Sequence, residues 1–300
     1  MVQWEIPNVA DLDDIQLSEV LRNLNRWTME GRLKAAQSPA TKSYLQAGLR
    51  LLAKAVMPPA REDVDPQIHP FVAFLSRKKV VNEVAEEEHP DLPRRGSVGG
   101  LRDLWDPHRD FLMDLLRASL LIEPWVSAVS GTTLAQLSEL DDPLQMVHEV
   151  AVANATAVPA DAGFRIQLLA TIMAAREPEL HESLARMYDS LAESWATVYE
   201  AVITSWGYKL RAGMTYQTLA DILMGLAEGL ALRQVGAPDQ RILDEQERTS
   251  LMETGALAIL SACVEPVDGD ESFESFVRSR LNGRLVQTPG RAESERPVSP

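Results

Sequence analysis

The feature that most constrains the fold is one long apolar stripe in the second half of the chain. Its members recur at steps of three or four residues: Leu180, Leu184, Met187, Leu191, Trp195, Val198, Val202 and Trp206. This spacing places them on one face of an α-helix of about seven turns. Pro178 suits the first helical position, and Gly207 suits the residue that ends the helix. The stripe predicts a long helix that packs against other helices.

Helical signals recur along the rest of the chain, and no segment alternates as a strand would. Thr215 is a suitable N-cap for a helix with several leucines. Helices are also predicted over 45–56 and 164–172. Two more are predicted after the Asp-Pro pairs at 106–107 and 142–143, because aspartate can cap a helix and proline fits its first turn, where a backbone N–H is not needed. In the N-terminal segment, Leu17, Val20, Leu21 and Leu24 predict an amphipathic helix over 15–33, interpreted as packing or an added arm. The predicted fold class is all-α.

Composition is that of a soluble globular protein. Three hundred residues at 45% hydrophobic can bury a sizeable core. No run of about 18 uncharged apolar residues and no signal-peptide pattern is seen, so a cytoplasmic protein without membrane contact is expected. The single cysteine, Cys263, excludes an internal disulfide. Its apolar neighbours predict a small buried side chain.

The net charge of −15 argues against nucleic-acid binding, but its distribution weakens that argument. Residues 41–120 carry 12 basic and 12 acidic side chains, whereas residues 121–300 carry 13 and 26. A neutral N-terminal part with local basic clusters is compatible with DNA binding through one end. An acidic surface is equally common on enzymes, where it keeps the protein soluble.

The segment from Ser76 to Leu116 has the order of a helix-turn-helix followed by a connecting helix. Ser76 is a plausible cap for a first helix that turns Val80, Val81, Val84 and Ala85 inward. In the second helix, Leu101 and either Leu104 or Trp105 can face the core. The residues expected to meet a DNA duplex are Lys78, Lys79, Arg94, Arg95, Ser97, Val98, Gly100 and Arg102.

At these residues the chain resembles the TetR family of bacterial transcriptional regulators. Ser97, Gly99, Leu101 and Trp105 match the family's pattern, and D-P-H-R-D-F-L-M-D-L-L is similar to its connecting helix. S-Y-L-Q-A-G-L-R-L-L-A-K-A resembles the family's first helix, and F-L-S-R-K-K-V-V-N-E-V-A-E-E its second. The resemblance covers residues 40–265 in outline, with specific motifs in about 40 of them. It implies a DNA-binding repressor.

The sequence also departs from that family. Arg102 stands where an aromatic residue is usual, the turn H-P-D-L-P-R-R-G is several residues longer, and Gly99 with Gly100 costs about 1 to 2 kcal/mol of helix stability relative to alanine. The alternative is therefore a helical protein of this architecture that binds a ligand or a protein and has lost DNA binding.

The resemblance further implies a homodimer and a small-molecule pocket. Gly225 and Gly229 lie four apart and would let a partner helix approach closely, although close packing inside one subunit would explain them equally well. The residues predicted for the interface are Leu219, Gly225, Leu226 and Gly229. The residues predicted for a pocket that takes a small apolar effector are Trp125, Met146, His148, Met173, Trp195 and Tyr199.

Enzymatic motifs are missing from the sequence. Glu86 and His89 form one Glu-x-x-His, whereas a di-metal helical bundle needs two such pairs. Glu177 and His181 share a spacing of four but lack the zinc-protease pattern. No phosphate loop, nucleophile elbow or dinucleotide fingerprint is present. We expect no catalytic residues, no metal and no cofactor.

Four regions are predicted. Residues 1–38 form an N-terminal extension, 39–121 a helix-turn-helix DNA-binding domain, 122–266 a larger helical domain for ligand binding and dimerisation, and 267–300 a polar, disordered tail. The expected partners are double-stranded DNA, an unknown small apolar effector and a second copy of the chain.

Overall fold

The computed structural model describes residues 12, 15–26, 28–57, 75–86, 91, 93, 95–121, 142–237, 242–244 and 249–267. Arg94, Trp125, the proline-rich segment 58–70 and the tail beyond Val267 lie outside the described residues. Predictions made for them therefore stay predictions.

The described residues form ten α-helices. Their bounds are α1 (Met29–Ala36), α2 (Pro39–Val56), α3 (Arg77–Glu83), α4 (Val98–Leu104), α5 (His108–Ser119), α6 (Pro143–Ala160), α7 (Ala162–Ala174), α8 (Pro178–Ser205), α9 (Tyr216–Gly236) and α10 (Leu251–Cys263). Short 3-10 helices span Leu17–Glu19 and Val84–Glu86. The mostly helical fold that the sequence predicts is confirmed.

Two short antiparallel strand pairs were not predicted. Strand β1 (Tyr208–Leu210) pairs with β4 (Val264–Pro266), and β2 (Leu243–Asp244) pairs with β3 (Thr249–Ser250). Each strand has two or three residues, which is too short for an alternating pattern to be visible in the sequence. The first pair ties the segment after α8 to the end of α10.

The largest core joins α2–α5 to the segment before α1. Leu45, Leu49, Leu101, Trp105 and Phe111 are each 0% exposed at its centre. The rings of Trp105 and Phe111 meet edge to face, with centroids 5.2 Å apart. The core continues through Ile166 of α7 and Leu180 of α8. Helix α7 packs against α2, α5 and α8, so it connects the two halves of the molecule.

The C-terminal half is a packed group of helices around α9. Helix α9 packs against α6, α8 and α10, and α6 also packs against α10. Cys263 is a buried side chain at the end of α10, as expected from its apolar neighbours, and burial raises the pKa of its thiol.

Most predicted helix boundaries are confirmed. The side chains of Ser76, Thr215 and Asp142 each accept a hydrogen bond from a backbone N–H in the first turn of the helix that follows. Pro178 begins α8, and Gly207 adopts the left-handed region just beyond its end, with a φ of 77°. Asp106 is an exception: Pro107 occupies the cap position of α5, and the Asp106 carboxylate forms an ion pair with Arg77 at 3.0 Å.

The predicted helix over 15–33 is wrong. Residues 20–26 follow the 3-10 helix as non-helical chain, and α1 begins only at Met29, capped by Thr28. Leu17, Leu21 and Leu24 are nevertheless buried, each 6% exposed or less. Among the described residues, no helix is long and apolar enough to cross a membrane.

Candidate nucleic-acid interface and ligand cavity

Helices α3 and α4 carry the residues predicted to meet DNA, and the two helices pack against each other. Lys78 and Lys79 lie in the first turn of α3, Arg95 precedes α4, and Arg102 lies in its last turn. All four are exposed, and within the described part of the chain they make no ion pair. Val98 is also exposed, at 40%. Ala85, predicted to face inward, is exposed as well.

Leu101, Leu104 and Trp105 form the inward side of α4. Their exposures are 0%, 7% and 0%. The sequence left Leu104 and Trp105 as alternatives, and both are buried. Val98 and Arg102 are exposed, so both lie outside this buried face of α4.

Tyr44 of α2 fixes the start of α4. Its hydroxyl donates to the backbone oxygen of Ser97 at 3.1 Å and accepts from the Ser97 N–H at 3.0 Å. The Ser97 side chain in turn caps α4 by accepting from the Gly100 N–H at 2.9 Å. The position of the first turn of α4 is therefore set by a tyrosine that the sequence did not single out.

Gly96 and Gly100 make room for that tyrosine. A Cβ on Gly96 or Gly100 would approach Tyr44 to 2.8 Å, whereas a Cβ on Gly99 would meet nothing closer than 3.9 Å. Gly100 therefore faces inward, in contrast to the outward orientation predicted for it. Its lack of a side chain serves packing against Tyr44.

A buried charged centre lies where α4 meets α5. The Asp114 carboxylate is 0% exposed and accepts from the Arg22 backbone N–H, the Asn23 backbone and side chain, Trp105 Nε1 and Arg117. Burial raises the pKa of Asp114 and lowers that of Arg117, while these hydrogen bonds and the opposite charges counter both effects. A charged pair on the apolar side of α5 is the sequence signal for this centre, and it was missed.

Three arginines connect this region to the start of α8. Arg117 forms an ion pair with Glu179, Arg109 binds Glu177 at 2.5 Å, and Arg22 binds Glu182 at 2.9 Å. Arg117 is 1% exposed and contacts both Asp114 and Glu179. Glu177, considered above with His181 as a metal-ligand pair, is thus an ion-pair partner of α5.

A cavity lies between α6, α8, α9 and α10. Its volume is about 60 Å³, and its walls are almost wholly apolar. Three of the residues predicted for a ligand pocket line this cavity, namely Met146, Trp195 and Tyr199. Trp206, Leu223, Met252 and Leu260 also line it but were not predicted, because they belong to stripes that are typical of any helix core.

Tyr199 is one of the residues of the cavity lining that carry a polar group. Its ring stacks on Trp195 with centroids 5.8 Å apart, and its hydroxyl has no hydrogen-bond partner among the described residues. Desolvation raises the pKa of this hydroxyl, so it stays protonated. On the other side, Trp206 Nε1 donates to Met146 Sδ at 3.2 Å, a weak acceptor. Both groups could bind a polar atom on an otherwise apolar ligand.

Two residues predicted for the pocket lie elsewhere. His148 Nδ1 is 2.9 Å from a carboxylate oxygen of Glu253 on α10, so it joins α6 to α10 outside the cavity lining. Met173 packs against the core of the N-terminal half. Both were predicted from residue type alone, and each lies on a side of its helix that does not face the cavity.

The residues predicted for the dimer interface lie on two different sides of α9. Leu219 is 0% exposed, and Leu226 packs against Gly255 of α10, so both face inward. A Cβ on Gly225 or Gly229 would meet nothing within 4 Å. Packing inside the subunit therefore does not explain these glycines within the described chain. With Ile222 and Leu232, which are 40% and 51% exposed, they form an outward apolar stripe of α9.

Among the described residues, no group of three or more histidine, cysteine, aspartate or glutamate side chains could hold a metal ion. His89 of the single Glu-x-x-His lies outside those residues.

The described residues form a helical protein in which α3 and α4 carry exposed lysine and arginine side chains, while α6, α8, α9 and α10 line an apolar cavity. Comparisons of the chain with protein-family models, curated proteins and solved structures find no match. The functional argument therefore depends on the residues alone.

Proposed function

We propose that this chain is a DNA-binding transcriptional regulator, with α3 and α4 as its helix-turn-helix and α5 as the connecting helix. The observation that carries the proposal is the orientation of α4: Tyr44 and the buried Leu101 hold it so that Val98 and Arg102 point outward. A recognition helix presents such side chains to the major groove. Arginine suits guanine O6 and N7, and an apolar side chain suits the thymine methyl group.

The exposed lysine and arginine side chains support the assignment of α3 and α4 as a helix-turn-helix, although the chain as a whole has a net negative charge. Lys78, Lys79 and Arg95 surround the helix pair and make no ion pair within the described residues, so their charges are available to phosphates. Arg77 differs, because Asp106 already binds it.

We propose that the regulator acts as a homodimer through the outward stripe of α9 and is released from DNA by a small apolar ligand. The open faces of Gly225 and Gly229 allow a close helix approach. The cavity at Tyr199 supplies apolar walls and few polar groups, as an effector site requires. Two recognition helices in a symmetric dimer would read half-sites about 34–36 Å apart.

The test is selection of bound sequences from a pool of random DNA duplexes, followed by mobility-shift titrations at several salt concentrations. We expect a palindromic sequence to be enriched, with an affinity that falls linearly with salt on logarithmic axes. If no sequence is enriched at low salt, the proposed function is contradicted.

The cavity on its own favours the second candidate, a helical module that binds a ligand without binding DNA. Quenching of the tryptophan fluorescence by small apolar compounds, without enrichment of any DNA sequence, would favour this alternative. Trp195 and Trp206 both line the cavity, so either indole can report on its occupancy.

A further inference from the structure

Helix α4 needs outside support, because it is too short to be stable by itself. It has seven residues, two of them glycines. Isolated helices of fewer than about 12 residues are marginal in water, and each glycine costs up to about 1 kcal/mol relative to alanine. Tyr44 holds the first turn of α4. Its C-terminal end requires a second set of contacts.

Those contacts come from residues Arg22–Arg26, which we call the arm. The backbone N–H of Asn25 donates to the Leu104 oxygen at 2.8 Å, and the Arg26 guanidinium donates to the Asp103 oxygen at 2.6 Å. Both acceptors are terminal carbonyls of α4, which have no partner within the helix itself. A cation at this end also suits the helix dipole. The arm thus completes the C-terminus of α4 from a distant part of the sequence.

The arm is itself firmly placed. The backbone N–H groups of Arg22 and Asn23 donate to Asp114, and Leu24 is buried in the core at 3% exposure. A buried carboxylate that loses its donors becomes costly, which gives the arm a strong preference for this position.

The arm also contacts the helix that lines the cavity. Arg22 binds Glu182 of α8 at 2.9 Å, and Asp114 is joined through Arg117 to Glu179 of the same helix. Tyr199 lies 17 residues beyond Glu182 on this helix, a distance of about 26 Å at 1.5 Å per residue. One continuous helix therefore runs from the cavity to the arm.

We infer that the arm positions α4 as a recognition helix and ties its position to α8. Arg26 and Asn25 act as positioning residues, since both donate hydrogen bonds to backbone carbonyls of α4. Movement of the start of α8 would reach α4 through the Arg22–Glu182 and Arg117–Glu179 ion pairs. The DNA-binding consequence rests on the proposed function, whereas the positioning of α4 does not.

The first experiment is amide hydrogen exchange on the full chain carrying Arg26→Ala, Arg26→Lys or the control Lys34→Ala. Lys34 is an exposed cation of α1 that makes no ion pair within the described residues. We expect Arg26→Ala to speed exchange in residues 98–105 about fivefold, with α8 unchanged. Arg26→Lys, which keeps a donor, should restore protection. Unchanged exchange in α4, or an equal rise in α4 and α8, would overturn the inference.

The second experiment measures whether the arm and α8 act together. Arg22→Ala, Glu182→Ala and the double variant should each speed exchange in α4 by the same factor, because all three break one ion pair. Additive increases of the exchange rate in the double variant, or an unchanged exchange rate in α4, would contradict the proposed link to α8.

The third measurement is DNA affinity. Arg26→Ala should weaken binding to the selected sequence about fivefold and leave binding to unrelated DNA unchanged. If the unaltered protein enriches no sequence, the proposed function fails, while the exchange experiments still decide whether the arm positions α4. If a sequence is enriched but Arg26→Ala binds it normally, the arm has no part in DNA recognition.

Discussion

At the scale of single residues, Arg102 is the side chain on which the proposed recognition of DNA bases most depends. It lies in the last turn of α4, is exposed, and has no ion-pair partner among the described residues. Because its side chain is exposed, we expect a substitution of Arg102 to disturb the packing of α4 little.

Replacing Arg102 with alanine should weaken binding to the selected DNA by about 1–3 kcal/mol, because one charge-assisted contact to a base is lost. The thermal midpoint should stay unchanged. Mobility-shift titration and thermal unfolding measure the two quantities. Arg176→Ala, which removes an exposed arginine at the end of α7, is the matched control and should bind DNA normally. Unfolding of the Arg102 variant would show that its side chain supports the fold.

His108 links the stability of the N-terminal half to pH. Its Nε2 lies 2.7 Å from the Leu75 carbonyl and donates to it, and the buried Nδ1 has no partner among the described residues. Burial, helped by the nearby Arg77 charge, lowers the pKa of His108 below its ordinary value of 6.5. The unfolded chain therefore binds a proton at a higher pH than the folded chain does.

The free energy of unfolding should consequently fall as the pH drops from about 7.5 to about 5.5, since protonation there favours the unfolded state. His108→Gln removes this titration and keeps a donor for Leu75. Urea unfolding across that pH range should show the wild-type protein losing stability relative to the variant at acid pH. Parallel curves for the two proteins would contradict the assignment.

At the scale of elements, α4 shows what sequence patterns can and cannot predict. The apolar spacing of Leu101, Leu104 and Trp105 correctly predicts its inward side. The two glycines look equally unfavourable in the sequence, yet only Gly100 faces Tyr44. That difference depends on a residue more than fifty positions earlier, so no local pattern could reveal it.

The two glycines should therefore respond in opposite directions to alanine. Gly99→Ala has free space and should stabilise the protein by up to about 1 kcal/mol. Gly100→Ala would place its Cβ 2.8 Å from the Tyr44 hydroxyl oxygen and should destabilise it by about 1–3 kcal/mol. Urea unfolding of the two variants provides the comparison. Equal effects would mean that Tyr44 does not occupy the space beside Gly100.

The sequence predicts the long helix α8 well and fails to predict the conformation of the arm. The stripe of α8, with Pro178 and Gly207 at its ends, is a periodic signal that local chemistry explains fully. Leu17, Leu21 and Leu24 have a spacing that also suits a helix, but the backbone N–H groups of Arg22 and Asn23 in the arm donate to Asp114 instead. The acceptor is thus a side chain distant in sequence, where a helix would use a backbone carbonyl. The sequence does not indicate which of these two acceptors the N–H groups will bind.

At the scale of the whole molecule, the sequence predicted that a pocket with apolar walls would exist. About half of the residues predicted for that pocket line the observed cavity. Met146, Trp195 and Tyr199 do so because they lie on the inner faces of α6 and α8. Residue type alone could not place His148 or Met173, since side-chain direction within a bundle depends on helix rotation. The same reasoning applies to α9, where the glycines face outward and the predicted leucines face inward.

The oligomeric state should respond to a large side chain on the outward face of α9. Gly229→Leu should shift the protein toward monomer in sedimentation velocity, because the added side chain would separate the two α9 helices that pack closely in the proposed dimer. Ala201→Leu, at an exposed position of α8, is the control and should leave the state unaltered. A dimer that persists in the Gly229 variant would show that another surface holds it together.

The five donor groups around Asp114 have a consequence for how such a protein can evolve. They come from the arm, from the residue after α4 and from α5, and Arg117 adds a contact to α8. A segment cut out as α2–α5 and grafted onto another ligand-binding domain would leave this carboxylate buried with only Trp105 and Arg117. The helix pair of α3 and α4 is thus not a portable module, and recombination that preserves its structure must also transfer the arm and the start of α8.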